Sequence, residues 1–586
     1  MIQNEAALIN AGLQIGLYDR ELVNRLRGLA RVNRVPLIDV ISRELGLPRT
    51  AFYLALAEAH VLPFARLDQW TIDTNLLARL PPSLLKRHLM APVRDVAGAL
   101  HLAVNDPSDH TSVETARRIV GAETPLAVAE PDALAPLVAH LLGNEVRELI
   151  ADDPVALFDR YLRDALLRRA SDLHVESIKD GVRVRFRVDG RLQPCGGTLP
   201  KALGEGLISR IKVLSGMDIA ESRAPQDGGL VYPLGDGIDP VEMRVASVPA
   251  KFGERLTLRV MKSDPGRQTL DSLGMPEAMV ERLREALAHP HGIVLVTGPT
   301  GSGKSTTLYS VLRELDANTL NILTAEDPVE QVMPGITQVQ VGGKIGFAGA
   351  LRSFLRHDPD VILVGEIRDL DTADVALKAA TTGHMVLSTL HTNNSVSAIT
   401  RLADIGCERF LIGATLHGVI AQRLVRMLCA HCRAPRAADA AERALLGVAD
   451  DGAAQVCEPR GCARCLGTGY RGRIGVFEAL WMDAALSERI AAGAHEHELT
   501  LAARHYARLG DDARAKVLGG LTSLAEARPF LVQAEVRRIE DSSPRRTRPQ
   551  EVQSPGSSAS GLMDSGLRRN DEYGVGPHVP GTGGAG

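Results

Sequence analysis

The spacing of hydrophobic and polar residues changes several times along the chain, and the first part has helical spacing. From residue 6 to about residue 69, the apolar positions recur in the pattern of amphipathic helices. Two short apolar runs at residues 91–93 and 99–104 then predict two strands, because an Asn-Asp-Pro turn closes the second run. We therefore expect an N-terminal α+β domain over residues 1–143. It contains no chemical constellation, and we interpret it as a docking or regulatory domain.

The second part of the pattern alternates as strands do. An amphipathic helix that begins near residue 153 leads to residues 182–188, where valine and phenylalanine alternate with arginine. Similar alternation at residues 243–248 and 255–260 predicts two more strands. A row of arginines on one strand face is usually only solvated, but it also suits the supply of positive charge to a phosphate group. We expect a sheet domain over residues 150–265.

A glycine-rich turn follows the buried strand at residues 293–296 and precedes a helix that Thr306 continues. Its eight residues fit the pattern G-x-x-x-x-G-K-S: Gly298, Pro299, Thr300, Gly301, Ser302, Gly303, Lys304 and Ser305. In such a loop the backbone amides wrap a polyphosphate, the lysine contacts the terminal phosphates and the serine hydroxyl contacts Mg²⁺. Glycine is needed where a side chain would block the approach of the backbone. The pattern predicts a nucleotide-binding core over residues 270–428.

Acidic residues follow each of the next two apolar strands. The carboxyl ends of parallel strands meet at the edge where phosphates bind, so both acidic groups are expected beside the terminal phosphate and its metal. We assign the activation of water to Glu366, with Glu330 as the alternative or helper. Glu326 and Asp327 are expected to support metal-bound waters. Acids at such positions also commonly cap helices, and this alternative stays open.

Two histidines, His384 and His391, flank a further apolar strand. A histidine at a strand end is more often a hydrogen-bonded structural residue than a catalyst. Because this strand is expected beside the phosphate loop, each histidine is also a candidate sensor of the terminal phosphate. Both interpretations stay open for each residue.

The sequence holds seven cysteines, four of which form two C-x-x-C pairs: Cys429 with Cys432, and Cys462 with Cys465. Two such knuckles close a tetrahedral Zn²⁺ site that has no open position, so a structural zinc insert is predicted over residues 429–472. Cys457 and His431 are the less favoured alternative ligands. A redox role is weaker still, because the pairs do not begin a thioredoxin-like helix.

Length and charge narrow the class of protein. A chain of 586 residues is too long for one core, so several domains are expected. The net charge of −4 and the lack of aromatic-plus-basic stretches oppose nucleic acid as a partner. No apolar run reaches the roughly 18 residues of a membrane span, so we expect a cytoplasmic protein that meets membranes only through partners. Residues 474–480 are predicted to form a strand or the start of a helix, within a C-terminal helical region over residues 473–535, and a disordered tail is predicted over residues 541–586.

Four boxes in a fixed order then resemble a known family. The run at residues 355–369, the phosphate loop, the acidic box at residues 326–330 and the two-histidine box look like those of the secretion and pilus-assembly ATPases. The similarity is greatest to the type II secretion system E-type ATPases and the type IV pilus extension ATPases. The tetracysteine insert is a feature of both groups and is generally missing from retraction ATPases. The insert therefore favours an ATPase that drives assembly over one that drives retraction.

The resemblance implies a fold, an activity and site residues. The fold class is α/β, with a RecA-like ATPase domain, a preceding PAS-like domain and an N-terminal α+β domain. The activity is hydrolysis of ATP with Mg²⁺ by a cytoplasmic homo-hexamer, docked through its N-terminal domain on the inner-membrane platform of a type II secretion system. The catalytic glutamate falls on Glu366 and the acidic-box glutamate on Glu330. Arginines of the preceding domain that would reach the site are sought among Arg185, Arg187, Arg223, Arg244, Arg255 and Arg259.

Two alternatives to a type II secretion motor stay open. A type IV pilus extension ATPase shares the same boxes, and the neighbouring genes would separate it from a secretion ATPase. A non-hydrolysing assembly factor would use the nucleotide as a conformational signal, and steady-state turnover of ATP separates it from a motor.

Overall fold

The structure of the chain is a computed structural model. It describes residues 4–33, 35–67, 69–77, 79–81, 84–85, 88–131, 133–134, 154–195, 197–233, 240–261, 268–448, 454–504 and 506–532. The predicted disordered tail at residues 541–586 lies outside the described residues. Within the described ranges, no helix combines the length and the apolar character that crossing a membrane requires.

Four helices form the first part of the described chain: Glu5–Gln14, Arg20–Asn33, Leu37–Leu45 and Arg49–Ala59. We call these helices the helical module. Their apolar stripes face one another, and Leu26, Ile41 and Phe52 are buried in the shared core. The prediction of several short helices before residue 69 is confirmed.

A four-stranded sheet follows, with the strand order β1-β2-β3-β4: β1 (Thr71–Ile72), β2 (Ala91–Arg94), β3 (Leu100–Val104) and β4 (Leu126–Val128). Strands β2 and β3 are the two predicted strands, and they pair in antiparallel register. The helices Thr74–Leu77 and His110–Val120 accompany this sheet. Val128 is buried among side chains of the helical module, so the sheet and the module share part of their core.

The second sheet is antiparallel throughout, with the order β7-β6-β5-β10-β9-β8: β5 (Asp172–Ile178), β6 (Gly181–Val188), β7 (Arg191–Pro194), β8 (Gln226–Tyr232), β9 (Val241–Ala250) and β10 (Gly253–Met261). Its apolar face is covered by the helices Pro154–Leu167 and Lys201–Leu214. The alternation predicted at residues 182–188 is confirmed, since Val182, Val184 and Phe186 are buried on this face. The arginines of β6 therefore lie on the opposite face.

The third sheet has eight strands in the order β13-β12-β14-β15-β11-β16-β19-β20: β11 (Gly292–Thr297), β12 (Ile322–Glu326), β13 (Thr337–Gln340), β14 (Val361–Val364), β15 (Met385–Leu390), β16 (Leu416–Leu428), β19 (Tyr470–Trp481) and β20 (Tyr506–Ala507). The first six strands of this order, from β13 to β16, are parallel to one another, β19 is antiparallel to β16, and β20 is antiparallel to β19. Residues 474–480 belong to strand β19, so the start of the predicted C-terminal helical region is a strand and not a helix. The carboxyl ends of the parallel strands share one edge, which we call the carboxyl edge.

Helices cover both faces of this sheet: Glu277–Leu287, Lys304–Glu314, Phe347–Phe354, Leu370–Thr381, Ser395–Ile405, Arg409–Thr415, Ala484–Ala491, Glu496–Ala502 and Leu509–Leu518. Ile293 and Leu295 of β11 belong to one core, whereas Val294 and Val296 belong to the other. A strand buried on both faces is a continuous apolar run, which explains the unbroken hydrophobic pattern at residues 293–296.

A small subdomain is inserted between the antiparallel strands β16 and β19. It contains a two-stranded sheet of β17 (Arg433–Ala437) and β18 (Gln455–Pro459), the helix Ala440–Leu446 and the 3-10 helix Ala463–Cys465. Strand β16 ends at Leu428, directly before the first cysteine of the insert. The insert therefore continues a strand of the third sheet.

Candidate functional site

The glycine-rich loop at residues 298–303 joins the end of β11 to the helix Lys304–Glu314 at the carboxyl edge. Gly298 has φ of 149°, and a Cβ there would lie 2.5 Å from the Gln422 carbonyl oxygen. Gly303 has φ of 92° and directly precedes the helix. Side chains at these two positions would be strained or would clash, so the loop keeps its backbone amides accessible at a helix N-terminus, where anions bind.

Lys304 lies at the start of this helix with its ammonium group folded over the loop. Its Nζ donates hydrogen bonds to the carbonyl oxygens of Gly298 (2.8 Å) and Pro299 (3.3 Å). Burial lowers the pKa of Lys304, while the negative charge of Glu366 opposes that shift. The hydroxyl of Ser302 is buried and has no hydrogen-bond partner among the described residues. These groups fit a polyphosphate, which would accept from all of them.

Glu366 follows β14 and lies at the same carboxyl edge. Its Oε2 is 3.2 Å from Nε2 of His391, and Arg368 donates a hydrogen bond to its Oε1. The backbone amide of Ile367 donates to the Thr389 carbonyl (3.0 Å), so the ends of β14 and β15 are joined here. The structure thus brings Glu366 and His391 together, close enough to Lys304 for the charge of Glu366 to act on it.

The acidic box after β12 contains residues in different surroundings. Both carboxylate oxygens of Glu326 are engaged, because Tyr309 and Thr324 donate hydrogen bonds to them and Gln338 Nε2 adds a third at 3.0 Å. Asp327 is exposed, and it lies near Arg368, whose pKa is raised by its hydrogen bond to Glu366 and by the charges of both acids.

Glu330 is exposed, and its backbone amide donates to the Tyr309 hydroxyl at 3.2 Å. Tyr309 belongs to the helix that begins at Lys304. Because Tyr309 also donates to Glu326, it holds the acidic box against this helix. Glu326 is therefore bound into the protein, whereas Asp327 and Glu330 present their carboxylates to solvent.

His384 and His391 lie at opposite ends of β15. His384 precedes the first residue of the strand, and its carbonyl oxygen accepts from the amide of Gly292, which is the first residue of β11. Its Nδ1 lies 3.0 Å from the carbonyl oxygen of Ala379. Since parallel strands keep their amino ends together, His384 lies at the edge of the sheet opposite the phosphate loop of this chain, and its sensing role stays a prediction.

Four of the six expected arginines are already held by carboxylates of the second sheet. Asp172 and Glu176 of β5 are buried and form ion pairs with five arginines in all: Arg183, Arg185 and Arg255 with Glu176, and Arg187 and Arg259 with Asp172. Arg223 lies in a loop and pairs with Glu221. Arg244 faces Arg259 across the β9–β10 pair, and no hydrogen bond or ion pair joins its side chain to another residue of the described ranges. The structure thus distinguishes Arg244 from the rest.

Two residues of β16, Gln422 and Arg423, approach the loop although the sequence did not single them out. Gln422 Oε1 accepts from the Thr307 hydroxyl at 2.7 Å. Arg423 donates to the Asn393 carbonyl at 2.7 Å, and its Nη1 would be 3.2 Å from a Cβ at residue 298. Burial lowers the pKa of Arg423. These polar residues follow the apolar start of a strand, which is the same signal that indicated Glu366.

The four paired cysteines form one group in the insert, and their sulfur atoms all lie within 4.8 Å of one another. Three of the Sγ separations are 3.9 Å for Cys429 and Cys462, 3.7 Å for Cys432 and Cys465, and 3.8 Å for Cys462 and Cys465. Four thiolates about 2.3 Å from a tetrahedral Zn²⁺ are about 3.8 Å apart. The arrangement therefore fits zinc.

Backbone amides surround these sulfur atoms in the manner of a metal-thiolate site. The amide of Gly461 donates to Cys432 Sγ at 3.3 Å, and those of Cys462 and Gly469 donate to Cys465 Sγ at 3.2 Å. Hydrogen bonds from the Cys462 thiol and from these amides lower the pKa of Cys465 to about 4. Cys457 and His431, the alternative ligands, do not belong to the group of four found among the described residues.

Comparison with known proteins decides the family. A family model described as type II/IV secretion system protein matches residues 151–529, which is more than half of the chain. The chain belongs to the type II/IV secretion system protein family. A second model, the MshEN domain, matches residues 60–148. The resemblance found in the sequence is confirmed, and so is the α/β class with a RecA-like domain.

Named members of this secretion family include both expected groups. Type II secretion system protein E of Pseudomonas aeruginosa is 47% identical over 388 residues, which cover 65% of this chain and 76% of that protein. The type IV pilus assembly ATPase PilB of Myxococcus xanthus is 37% identical over 510 residues, which cover 80% of this chain and 89% of that protein. The X-ray structure of the Legionella pneumophila ATPase DotB aligns with 64% of this chain and 96% of its own, at 24% identity and a TM-score of 0.49.

Proposed function

We propose that this protein is a Mg²⁺-dependent ATPase that powers the inner-membrane platform of a type II secretion system. The observation that carries the proposal is that Lys304 of the phosphate loop and Glu366 of β14, distant in the chain, lie at one carboxyl edge with their charges in reach of each other. Membership of the secretion family and the 47% identity to a type II secretion protein E support the platform assignment.

The residues at the carboxyl edge have separate roles in phosphoryl transfer to water. Glu366 orients the attacking water and accepts its proton, since a carboxylate at this place suits a general base. His391, 3.2 Å from Oε2, and Arg368 on Oε1 fix the direction of that carboxylate. Lys304 exchanges the carbonyl oxygens of Gly298 and Pro299 for phosphate oxygens. Arg423 adds a second cation over the loop.

Residues that could hold Mg²⁺ lie near the phosphate loop. Ser305, the second residue of the helix, would hold the ion through its hydroxyl, and the exposed carboxylates of Asp327 and Glu330 would hold its water ligands. When bound, Mg²⁺ neutralises charge on the phosphates. Glu326 has no free oxygen for this purpose, so its part is to hold the acidic box against Tyr309.

We further propose that the site is completed by arginines in a homo-hexamer. An arginine finger needs a cation that is free to meet the phosphate. Arg244 suits this best, because its side chain has no partner within the described ranges, whereas those of Arg185, Arg187, Arg255 and Arg259 are paired with carboxylates. The N-terminal domain is proposed to dock on the cytoplasmic face of the inner-membrane platform. The cysteine group is proposed to hold a structural Zn²⁺.

A type IV pilus extension motor is the second candidate. It is favoured by the PilB relative of Myxococcus xanthus, whose alignment covers 80% of this chain against 65% for the type II secretion relative.

Two experiments test the proposal. Purified full-length protein is assayed for phosphate release from ATP with Mg²⁺, beside a Lys304→Ala variant. Turnover that rises steeply with protein concentration and is lost in the variant supports an oligomeric ATPase, whereas nucleotide binding without turnover contradicts it.

In the second experiment, the gene is deleted in the source bacterium. Loss of secreted proteins with intact surface pili supports the secretion motor, and the reverse supports the pilus motor.

A further inference from the structure

The second cysteine knuckle, residues 462–466, is seated on the helical module. Ala463 is only 2% exposed and is counted in the core of the module, and Leu466 packs against the same core. The 3-10 helix Ala463–Cys465 contacts the helix Arg49–Ala59. Two apolar side chains of a metal-binding turn are therefore shared with a domain that begins more than 400 positions earlier in the chain.

Hydrogen bonds from two arginines stabilise the contact between the knuckle and the N-terminal part of the chain. Arg464, between Cys462 and Cys465, donates from Nη2 to the carbonyl oxygens of Gly16 and Leu17, at 3.2 Å each. Those carbonyls follow the C-terminus of the helix Glu5–Gln14, where a cation is favoured by the helix dipole. From the segment that follows the module, Arg66 donates to the Leu466 carbonyl at 3.3 Å.

The shape of the knuckle depends on its cysteines. It consists of one 3-10 turn, and Leu466 adopts a left-handed conformation with φ of 54°. The described hydrogen bonds within this turn join Cys462 and Cys465 to each other and to the residues that follow them. So short a turn has no core of its own, and bonds from two of its sulfur atoms to one ion would be its strongest restraint.

The two strands that flank the insert, β16 and β19, contact other parts of the protein. The amide of Gly472 donates to Asp189 of the second sheet domain at 2.8 Å. Arg426 of β16 forms an ion pair with Glu526 at 2.8 Å. Cys429 directly continues β16, which belongs to the third sheet. The insert thus connects the helical module to the third sheet, and strand β19 of that sheet contacts the second sheet domain.

We propose that the ion held by the four cysteines locks the helical module onto the motor domains, with residues 462–466 as its docking surface. With the ion bound, the knuckle presents Ala463, Arg464 and Leu466 in the arrangement that the module fits. Without the ion, the knuckle loses this arrangement, and the module is released while the third sheet stays folded. The inference rests on the proposed zinc site but is separate from ATP hydrolysis.

Hydrogen exchange on the full-length, zinc-loaded protein tests the lock. Removal of zinc by a chelator is expected to raise exchange of peptides from residues 5–17 and 49–59 by about tenfold, since local opening then no longer breaks the docked contacts. Peptides from β11 should stay protected and report that the third sheet is folded. Zinc content is measured on the same samples.

Two variants separate docking from metal binding. Ala463→Glu and Arg464→Ala should keep about one zinc per chain, because neither residue is a ligand, yet should raise exchange of the module several-fold. Arg460→Ala is the matched control. Arg460 lies in the same insert, is exposed, and has no hydrogen-bond or ion-pair partner among the described residues. The lock would be overturned if the helical module of both variants exchanged no faster than that of Arg460→Ala. It would also be overturned if removal of zinc left exchange of the module unchanged. Loss of ATPase activity alone would bear on the proposed motor function and not on this inference.

Discussion

Nε2 of His391 lies 3.2 Å from Oε2 of Glu366, across the junction of the two strands that end at the carboxyl edge. Arg368 takes the other carboxylate oxygen, so Glu366 is held at both ends and its side chain is only 14% exposed. A general base must be positioned before its basicity matters. The pair therefore fixes the direction of a carboxylate that, in the proposed function, acts on a phosphate held by the loop after β11.

Replacement of His391 should slow hydrolysis without weakening nucleotide binding. His391→Gln removes the ring that orients Glu366, and we expect kcat to fall by about tenfold to a hundredfold while the Kd for ATP changes little. His384→Gln is the matched control, since His384 lies at the amino end of the same strand. Steady-state kinetics with a separate binding measurement checks both. Equal losses in the two variants would contradict the positions assigned to these histidines.

Arg423→Met should weaken nucleotide binding. Its guanidinium lies over the phosphate loop, where its charge lowers the pKa of Lys304. We expect the Kd for ATP to rise about tenfold, a loss of about 1.4 kcal/mol. Fluorescent-nucleotide titration measures this effect. Arg473→Met serves as the control, because Arg473 is exposed on the neighbouring strand β19. A Kd unchanged by Arg423→Met would exclude Arg423 from the site.

Nucleotide binding should take up protons at high pH. Burial lowers the pKa of Lys304 in the free protein, whereas a bound phosphate favours the ammonium form and raises it. As the pH rises through the lowered pKa, more free protein carries neutral Lys304, so binding then requires a proton. Calorimetry in two buffers of different ionisation enthalpy should show greater uptake at about pH 9.5 than at about pH 7.5. Lys344→Met, at an exposed lysine, should behave as the wild type. Equal uptake at both pH values would contradict the buried position of Lys304.

Local patterns predicted the main elements because each pattern has one physical cause. The continuous apolar run before Gly298 and the alternation at residues 182–188 both follow from burial, on two faces and on one face respectively. The two cysteine pairs were recognised because ligand spacing is fixed by metal geometry. The grouping of the four sulfur atoms needed no information from distant parts of the chain.

The parts that could not be predicted depend on which distant strands become neighbours. Gln422 and Arg423 lie more than 115 positions after the loop, and only the β11–β16 pairing brings them to it. Both roles were left open for His384, because the apolar pattern of β15 does not show which of its ends meets the phosphate loop. The ranking of arginines depended on the pairing of β5 with β6 and β10, which sets Asp172 and Glu176 against them.

The measurement that tests the central claim most directly is ATP binding and single-turnover hydrolysis by Glu366→Gln, beside Glu330→Gln. Glu366→Gln should bind Mg²⁺-ATP with nearly the wild-type Kd and hydrolyse it more slowly by about 10²- to 10⁴-fold, since only the base is lost. Glu330→Gln should retain most of the rate, because Glu330 contributes through metal-bound water. Wild-type hydrolysis by Glu366→Gln would contradict the claim that Glu366 and Lys304 act on the same triphosphate.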